Sequence, residues 1–457
     1  MGRPDPKNAD AVKKYGFPTA AAMIVGIVIG SGIFFKSDNI LVATGGSVFL
    51  GCLTLLIGAV SIVFGGVCVG ELAALTDRPG GVVAYAEEFI SPRAACAFGW
   101  FQALVYYPTL LVVVSWVLGV YVAMLFHWEA TLLFELLVGG GFLTLSFLLN
   151  TLSARAGGAF QTIATILKLL PLAALAAAGL WLGDPAPALE GGGTDLMGGF
   201  AWFSAIGPVA FSYDGWIVST SIAHEVKNAR RNLPLALVVA PLLVLAAYLL
   251  YFLGVSCYLG PERVIALGDG HLTQMAGQLF GPLGAKLILV FVILSVMGTI
   301  NGLTLGYIRL PYSLALRGML PFSEKLRRIG SPSGVPVASA LTAYGVCLIW
   351  SAIHFFTERL ELLPNSDMSE VSIAVNYLLF ALLYLQVFRL YRRGIIRGFV
   401  KGAVVPALAL TGAAFTIAGA LQSRYFVLYV LFGIGILLLS VLYYNTHILQ
   451  KNGSPAA

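Results

Sequence analysis

The residues best able to do chemistry in this chain sit at two polar interruptions of apolar runs. The first is VIGSGIFF, Val28 to Phe35, which puts Gly30, Ser31 and Gly32 in the middle of the run 17–44. The second is FSYDGW, Phe211 to Trp216, which puts Ser212, Asp214 and Gly215 in the middle of the run 198–222. A helix unwound in hydrocarbon exposes N–H and C=O groups that are costly unless satisfied. Such a break is therefore also a binding device. The half-helix beyond it presents free N–H groups and a positive dipole end, suited to a carboxylate, and the half before it presents free carbonyls, suited to an ammonium. A free α-amino acid carries both groups on one carbon. Close helix packing through the GxxxG pair Gly26 and Gly30 would account for one break, but two breaks in corresponding halves of the chain point to a site.

Lys168 is the most informative isolated charge. It lies about twelve residues into the run 157–182, roughly 18 Å deep at 1.5 Å per residue, beyond the reach of a snorkelling side chain. An ammonium there costs about 3 kcal/mol or more unless it is paired. Carbonyls at a nearby helix end would satisfy it. Asp214 reads equally as the N-cap of the second half of its run and as an attractor of a cationic side chain. Tyr248 and Tyr251, in the run 235–259, could supply a hydroxyl to the site.

The elements that position these groups must be membrane helices. Of 457 residues 59% are hydrophobic and 11% charged, and the mean hydropathy is +0.90. Runs of about 20 apolar residues, enough to cross a bilayer, occur twelve times, at 17–44, 48–75, 94–126, 131–150, 157–182, 198–222, 235–259, 284–310, 336–355, 369–390, 403–421 and 427–443. The expected fold is an all-α membrane protein of 12 transmembrane helices, a single domain over 1–457. Two five-helix repeats of opposite orientation would cover about 17–182 and 198–390, with helices one and six unwound and two extra helices at about 403–443. The first run is too long for a removable signal peptide.

Most of the 27 Lys and Arg fall in the loops of one face, which places both termini in the cytoplasm and explains the pI near 9.0 without nucleic-acid binding. The segment GGVVAYAEEFI, Gly80 to Ile90, is expected to form a short amphipathic helix lying on that face. Cys52, Cys68, Cys96, Cys257 and Cys347 all fall in or at the ends of apolar runs and read as packing residues, with no metal-ligand spacing. HEVKN, His224 to Asn228, lacks the second histidine of a zinc-protease helix. No phosphate-binding loop and no catalytic pair is found, so neither an ATP-driven pump nor an enzyme is expected, and no cofactor. A channel is disfavoured because broken half-helices suit one occluded site.

IGSGIF, FSYDGW and EVKNARRNLPLAL (Glu225 to Leu237), with the twelve runs, RGMLP (Arg317 to Pro321) and the lysine of the fifth run, resemble the amino acid-polyamine-organocation superfamily, and within it the L-amino acid transporter branch as a prokaryotic member. The resemblance implies the leucine-transporter-like inverted repeat in the plasma membrane and sodium-independent amino acid movement, commonly by exchange. By motif, the carboxylate would meet Ser31 and Gly32, the ammonium would meet carbonyls of Val28, Phe211 and Asp214, and Phe211 would close over the substrate. In sodium-coupled relatives a cation ties helix one to helix eight, and the resemblance implies that Lys168 replaces it, bonded to carbonyls near Gly26 and Gly30 with Ser295 or Thr299 of span eight. The expected substrates are small and medium neutral L-amino acids, with proton-coupled uptake as the alternative mechanism. Two departures stand out. The loop HWEAT, His127 to Thr131, lacks the cysteine by which animal relatives bind a glycoprotein, so no covalent partner is expected, and His224 replaces a usual acidic residue.

Overall fold

The computed structural model describes residues 16–30, 32–76, 78, 80–190, 200–329, 335–362, 367–421 and 426–449. Its helices, in chain order, are α1 (Phe17–Val28), α2 (Gly32–Ala43), α3 (Val48–Leu75), α4 (Val82–Phe89), α5 (Pro92–Phe101), α6 (Tyr107–Phe126), α7 (Leu132–Leu152), α8 (Ala154–Leu182), α9 (Ala186–Glu190), α10 (Ile206–Tyr213), α11 (Ala229–Leu259), α12 (Pro261–Leu267), α13 (His271–Leu316), α14 (Ser323–Leu326), α15 (Val337–Arg359), α16 (Met368–Arg392), α17 (Val405–Ala420) and α18 (Phe426–Tyr443). Among the described residues ten helices are long and apolar enough to cross a membrane, and eleven if the bent pair of the first run, with its parts at 60°, counts as one span. The run expected as span six is built of short pieces. A 3₁₀ segment Phe200–Ala205, the eight-residue α10 and a second 3₁₀ segment Trp216–Glu225 follow one another, and none is long enough to cross alone.

Helix starts follow local chemistry. Ser47, Ser91, Thr131 and Ser153 each accept a hydrogen bond from the backbone N–H three residues on, capping α3, α5, α7 and α8, and each such cap stabilises its helix by about 1 kcal/mol. The long α13 carries a kink at Gly281, where φ is 72°, a conformation that favours glycine. Between α5 and α6 the helix widens into a π-turn, Gln102–Tyr106. Side chains from elsewhere take the carbonyls there: the Tyr307 hydroxyl donates to Ala103 at 2.5 Å and the Trp350 indole to Leu104 at 2.7 Å.

The broken segments lie at the centre of the bundle. α1 packs against α8, α11 and α13, and α10 packs against α2, α3, α16 and α17. The helix expected to rest on the membrane surface does form, as α4, but it is docked on the bundle instead. Val82 to Ala86 are buried, and Glu87 accepts from Arg317 at the end of α13 at 2.7 Å. Its apolar face is covered by protein, which removes the reason to lie in lipid. The five cysteines are free thiols.

Candidate functional site

The last turn of α1 ends in mid-bundle, where its carbonyls have no helical partners. Four in succession are claimed by side chains from three other helices. Lys168 of α8 donates its ammonium to the Gly26 and Ile29 carbonyls, each at 2.5 Å, and lies 3.4 Å from the Thr299 hydroxyl. Thr299 of α13 donates to Ile27 at 3.2 Å, and Ser295, one turn earlier, to Ile29 at 3.4 Å. Tyr248 of α11 shares its hydroxyl proton between Val28, at 2.9 Å, and Ser212 of the second break, at 2.7 Å. Lys168 has no exposed surface, so these charge-assisted bonds are what make its burial tolerable.

The glycines let the helices come this close. A Cβ on Gly26 would collide with Thr165 of α8, one on Gly30 would sit 2.5 Å from the Thr299 Oγ1, and one on Gly32 would sit 2.6 Å from the Ser212 Cα. Each faces a different neighbour, and Gly32 joins the first break directly to the second. In the second break Gly215 has φ 89°, in the left-handed region, and a Cβ there would meet Ile27 of α1 at 2.6 Å.

Between the breaks lies a cavity of ≈ 20 Å³ bordered by Val28, Gly30, Gly32, Phe211, Asp214 and Thr299. That is about the room one water needs. Asp214 is buried and accepts a hydrogen bond from the Tyr106 hydroxyl at 2.6 Å.

The structure brings Val28, Gly30, Gly32, Phe211 and Asp214 to the cavity and gathers Lys168, Gly26, Ser295 and Thr299 at the end of α1. Ser31 lies outside the described residues, as do the side chains of His224 and Glu225. At four further positions the structure shows contacts that the spacing alone does not give. The Ser212 hydroxyl turns back to its own helix at Pro208, 2.9 Å away, and it is the Ser212 carbonyl that takes part. The Phe211 carbonyl already accepts from the Asp214 N–H at 3.2 Å. Tyr251 does not border the cavity: its ring stands edge-on to Phe34 at 5.3 Å and its hydroxyl has no hydrogen-bond partner among the described residues. Asp214 is held by Tyr106 rather than capping a regular helix, because the chain after Gly215 is 3₁₀. Leu110, Val114 and Leu303 form the apolar wall. Nothing sets these three apart in sequence, because each is one apolar residue in an apolar run.

A bundle of membrane-length helices around two breaks fits a membrane transporter, and residues 15–448 match the amino acid permease family. The chain belongs to that family, in the L-amino acid transporter branch of the amino acid-polyamine-organocation superfamily; it is an integral membrane transporter of amino acids and not an enzyme. It is 30% identical over 423 residues to the serine/threonine exchanger SteT of Bacillus subtilis (strain 168), covering 90% of this chain and 91% of that one. It is 26% identical over 461 residues to the human b(0,+)-type amino acid transporter 1, covering 94% and 88%. With the human Asc-type amino acid transporter 1 it shares 29% identity over 320 residues, covering 68% and 60%.

Proposed function

We propose that this protein is a sodium-independent exchanger of small and medium neutral L-amino acids, working by alternating access in the plasma membrane. The observation that carries the reading is the engagement of every carbonyl from Gly26 to Ile29 by side chains of other helices, with the Lys168 ammonium bridging two of them. A fixed positive charge stands where a coupled carrier would need a dissociable cation, and the similarity to a serine/threonine exchanger supports exchange. The short pieces of span six complete a set of twelve crossings. These form a five-plus-five inverted repeat in which α1 and α2 correspond to α10 and the 3₁₀ segment after it. The face carrying Arg78, Arg230, Arg317, Arg327 and Arg392 is cytoplasmic, with both termini. The substrate carboxylate sits at the N-terminus of α2, at Ser31 and Gly32, and the ammonium at the remaining lone pairs of the Val28 and Phe211 carbonyls, with Phe211 moving to admit it.

The test is efflux of labelled alanine or serine from proteoliposomes. Fast release only with an amino acid outside, unchanged when choline replaces sodium, is the expected result. Collapse of transport without sodium refutes the role of Lys168. Accumulation driven by a proton gradient into vesicles free of amino acid replaces exchange by symport.

A further inference from the structure

Away from the breaks, a roomier cavity lies where α6 ends and α7 begins. It holds ≈ 360 Å³, against ≈ 20 Å³ between the breaks, and falls in the size range of small-molecule sites. One side of it is apolar. Val120, Ala123 and Met124 border it, and residues three and four apart share one face of a helix. Another side is aromatic. His127 ends α6 in the left-handed conformation, φ 54°, and the Trp128 N–H bonds back to the Ala123 carbonyl at 3.0 Å, a pattern that turns the chain sharply at a helix end. The Trp128 ring, which borders the cavity, stacks on Phe126 with 4.7 Å between centres and stands edge-on to Phe134 at 5.5 Å. Trp128 and Phe126 are 51% and 55% exposed at the end of a membrane-length helix, the level at which tryptophan meets lipid headgroups.

Two polar groups reach the same space with bonding capacity to spare. Glu135, in the first turn of α7, borders it. A Cβ on Gly119 would collide with the Glu135 backbone, so glycine there is what lets α7 start against α6. The Glu135 Oε2 accepts from the Trp116 indole N–H at 2.9 Å, which holds the carboxylate in place, and no Lys or Arg among the described residues pairs with it. Thr273, in the first turn of α13, also borders the cavity, and its Oγ1 is buried with no hydrogen-bond partner among the described residues. An orphan hydroxyl of this kind calls for a partner. A carboxylate without a counter-cation and a free hydroxyl, between apolar and aromatic walls, suit a cation that has N–H groups and a carbon body.

The geometry points to this cavity as a site for the ethanolamine headgroup of a phospholipid. A primary ammonium has three N–H donors, for which the Glu135 carboxylate and the Thr273 Oγ1 are acceptors. The glycerol and the first methylenes of the acyl chains then lie on Val120 and Met124. A choline headgroup carries the same charge but no N–H, so it leaves both acceptors without a hydrogen bond. A soluble amine brings the N–H groups but lacks the chains that the apolar side receives. The occupant touches α6, α7 and α13 at once, so its binding is read as added stability of the fold. None of this depends on whether transport is by exchange.

The experiment measures Tm of the purified protein in nanodiscs of phosphatidylcholine alone and of phosphatidylcholine mixed with phosphatidylethanolamine. The ethanolamine lipid is expected to raise Tm of the parent by about 3 °C. In Glu135→Gln the rise should shrink to about 1 °C or less. Met124→Trp, which fills the space and keeps the carboxylate, should lose the rise as well, and it carries the test if Glu135→Gln does not fold. No rise in the parent overturns the site. An equal rise in parent and variants also overturns it, because the lipid then acts through the bilayer as a whole. Free ethanolamine added to phosphatidylcholine nanodiscs is the last arm: a rise equal to that given by the lipid overturns the lipid assignment and marks a site for a soluble amine.

Discussion

Lys168→Met removes the ammonium and keeps a flexible apolar stem of similar length. Two charge-assisted bonds to the Gly26 and Ile29 carbonyls are lost, each contributing about 1.5–3 kcal/mol, so about 3–6 kcal/mol in all. Against this, the fold no longer buries a charge that costs about 3 kcal/mol in mid-membrane. The net loss of stability is about 0–3 kcal/mol, small enough for the protein to fold. The larger effect falls on the geometry of the break. With Ser295 at 3.4 Å as the remaining partner of Ile29 and none of the described side chains replacing Lys168 at Gly26, the end of α1 rearranges to satisfy these carbonyls. Restoring the binding geometry then costs about 2 kcal/mol, a loss of affinity of roughly thirtyfold. Calorimetric titration of the purified variant with L-serine and L-alanine measures this, with Tm recorded in the same detergent. Affinity within twofold of the parent, in a monodisperse variant, would refute the reasoning and leave Lys168 a packing residue.

Tyr248→Phe deletes a hydroxyl that joins the two breaks at Val28 and Ser212; binding is expected to weaken about tenfold, with less than about 2 kcal/mol lost in stability, and an unchanged Kd would show that the bridge is incidental. Gly32→Ala puts a Cβ 2.6 Å from the Ser212 Cα, so the two breaks must separate and substrate binding measured by titration should fall about tenfold or more. Ser91→Ala removes the N-cap of α5, far from the cavity; Tm should fall by an amount corresponding to about 1 kcal/mol while the exchange rate stays the same.

The breaks were legible because glycine, serine and aspartate in the middle of an apolar run carry an obvious cost, and a lysine 18 Å deep by helix rise announces a partner. The partners themselves were less legible. The sequence placed the Lys168 contacts near Gly26 and Gly30, whereas the ammonium meets Gly26 and Ile29; which carbonyl turns outward depends on where the last turn of α1 ends. Tyr248 and Tyr251 are one turn apart and look alike in sequence, yet Tyr248 meets both breaks and Tyr251 meets Phe34. The apolar-run criterion marked span six but not its make-up, because hydropathy does not register that a segment is 3₁₀ on both sides of a short helix. The pairing of Lys36 with Glu370 spans 334 residues, and no local pattern relates two charges so far apart. The π-turn at Gln102–Tyr106 is equally silent, since the side chains that hold its carbonyls come from Tyr307 and Trp350.

The ammonium at the end of α1 is bonded to the chain through its own side chain. A diffusible ion in the same place would come and go with the composition of the medium, and the shape of the break would follow it. A tethered one has an effective concentration fixed by its stem, the same in fresh water and in brine. The free energy that holds α1 unwound is thus settled once, when the helices assemble, and does not recur with each turnover. On the proposed reading, the geometry of the substrate site then belongs to the polypeptide alone, and salt acts on it only through surfaces elsewhere.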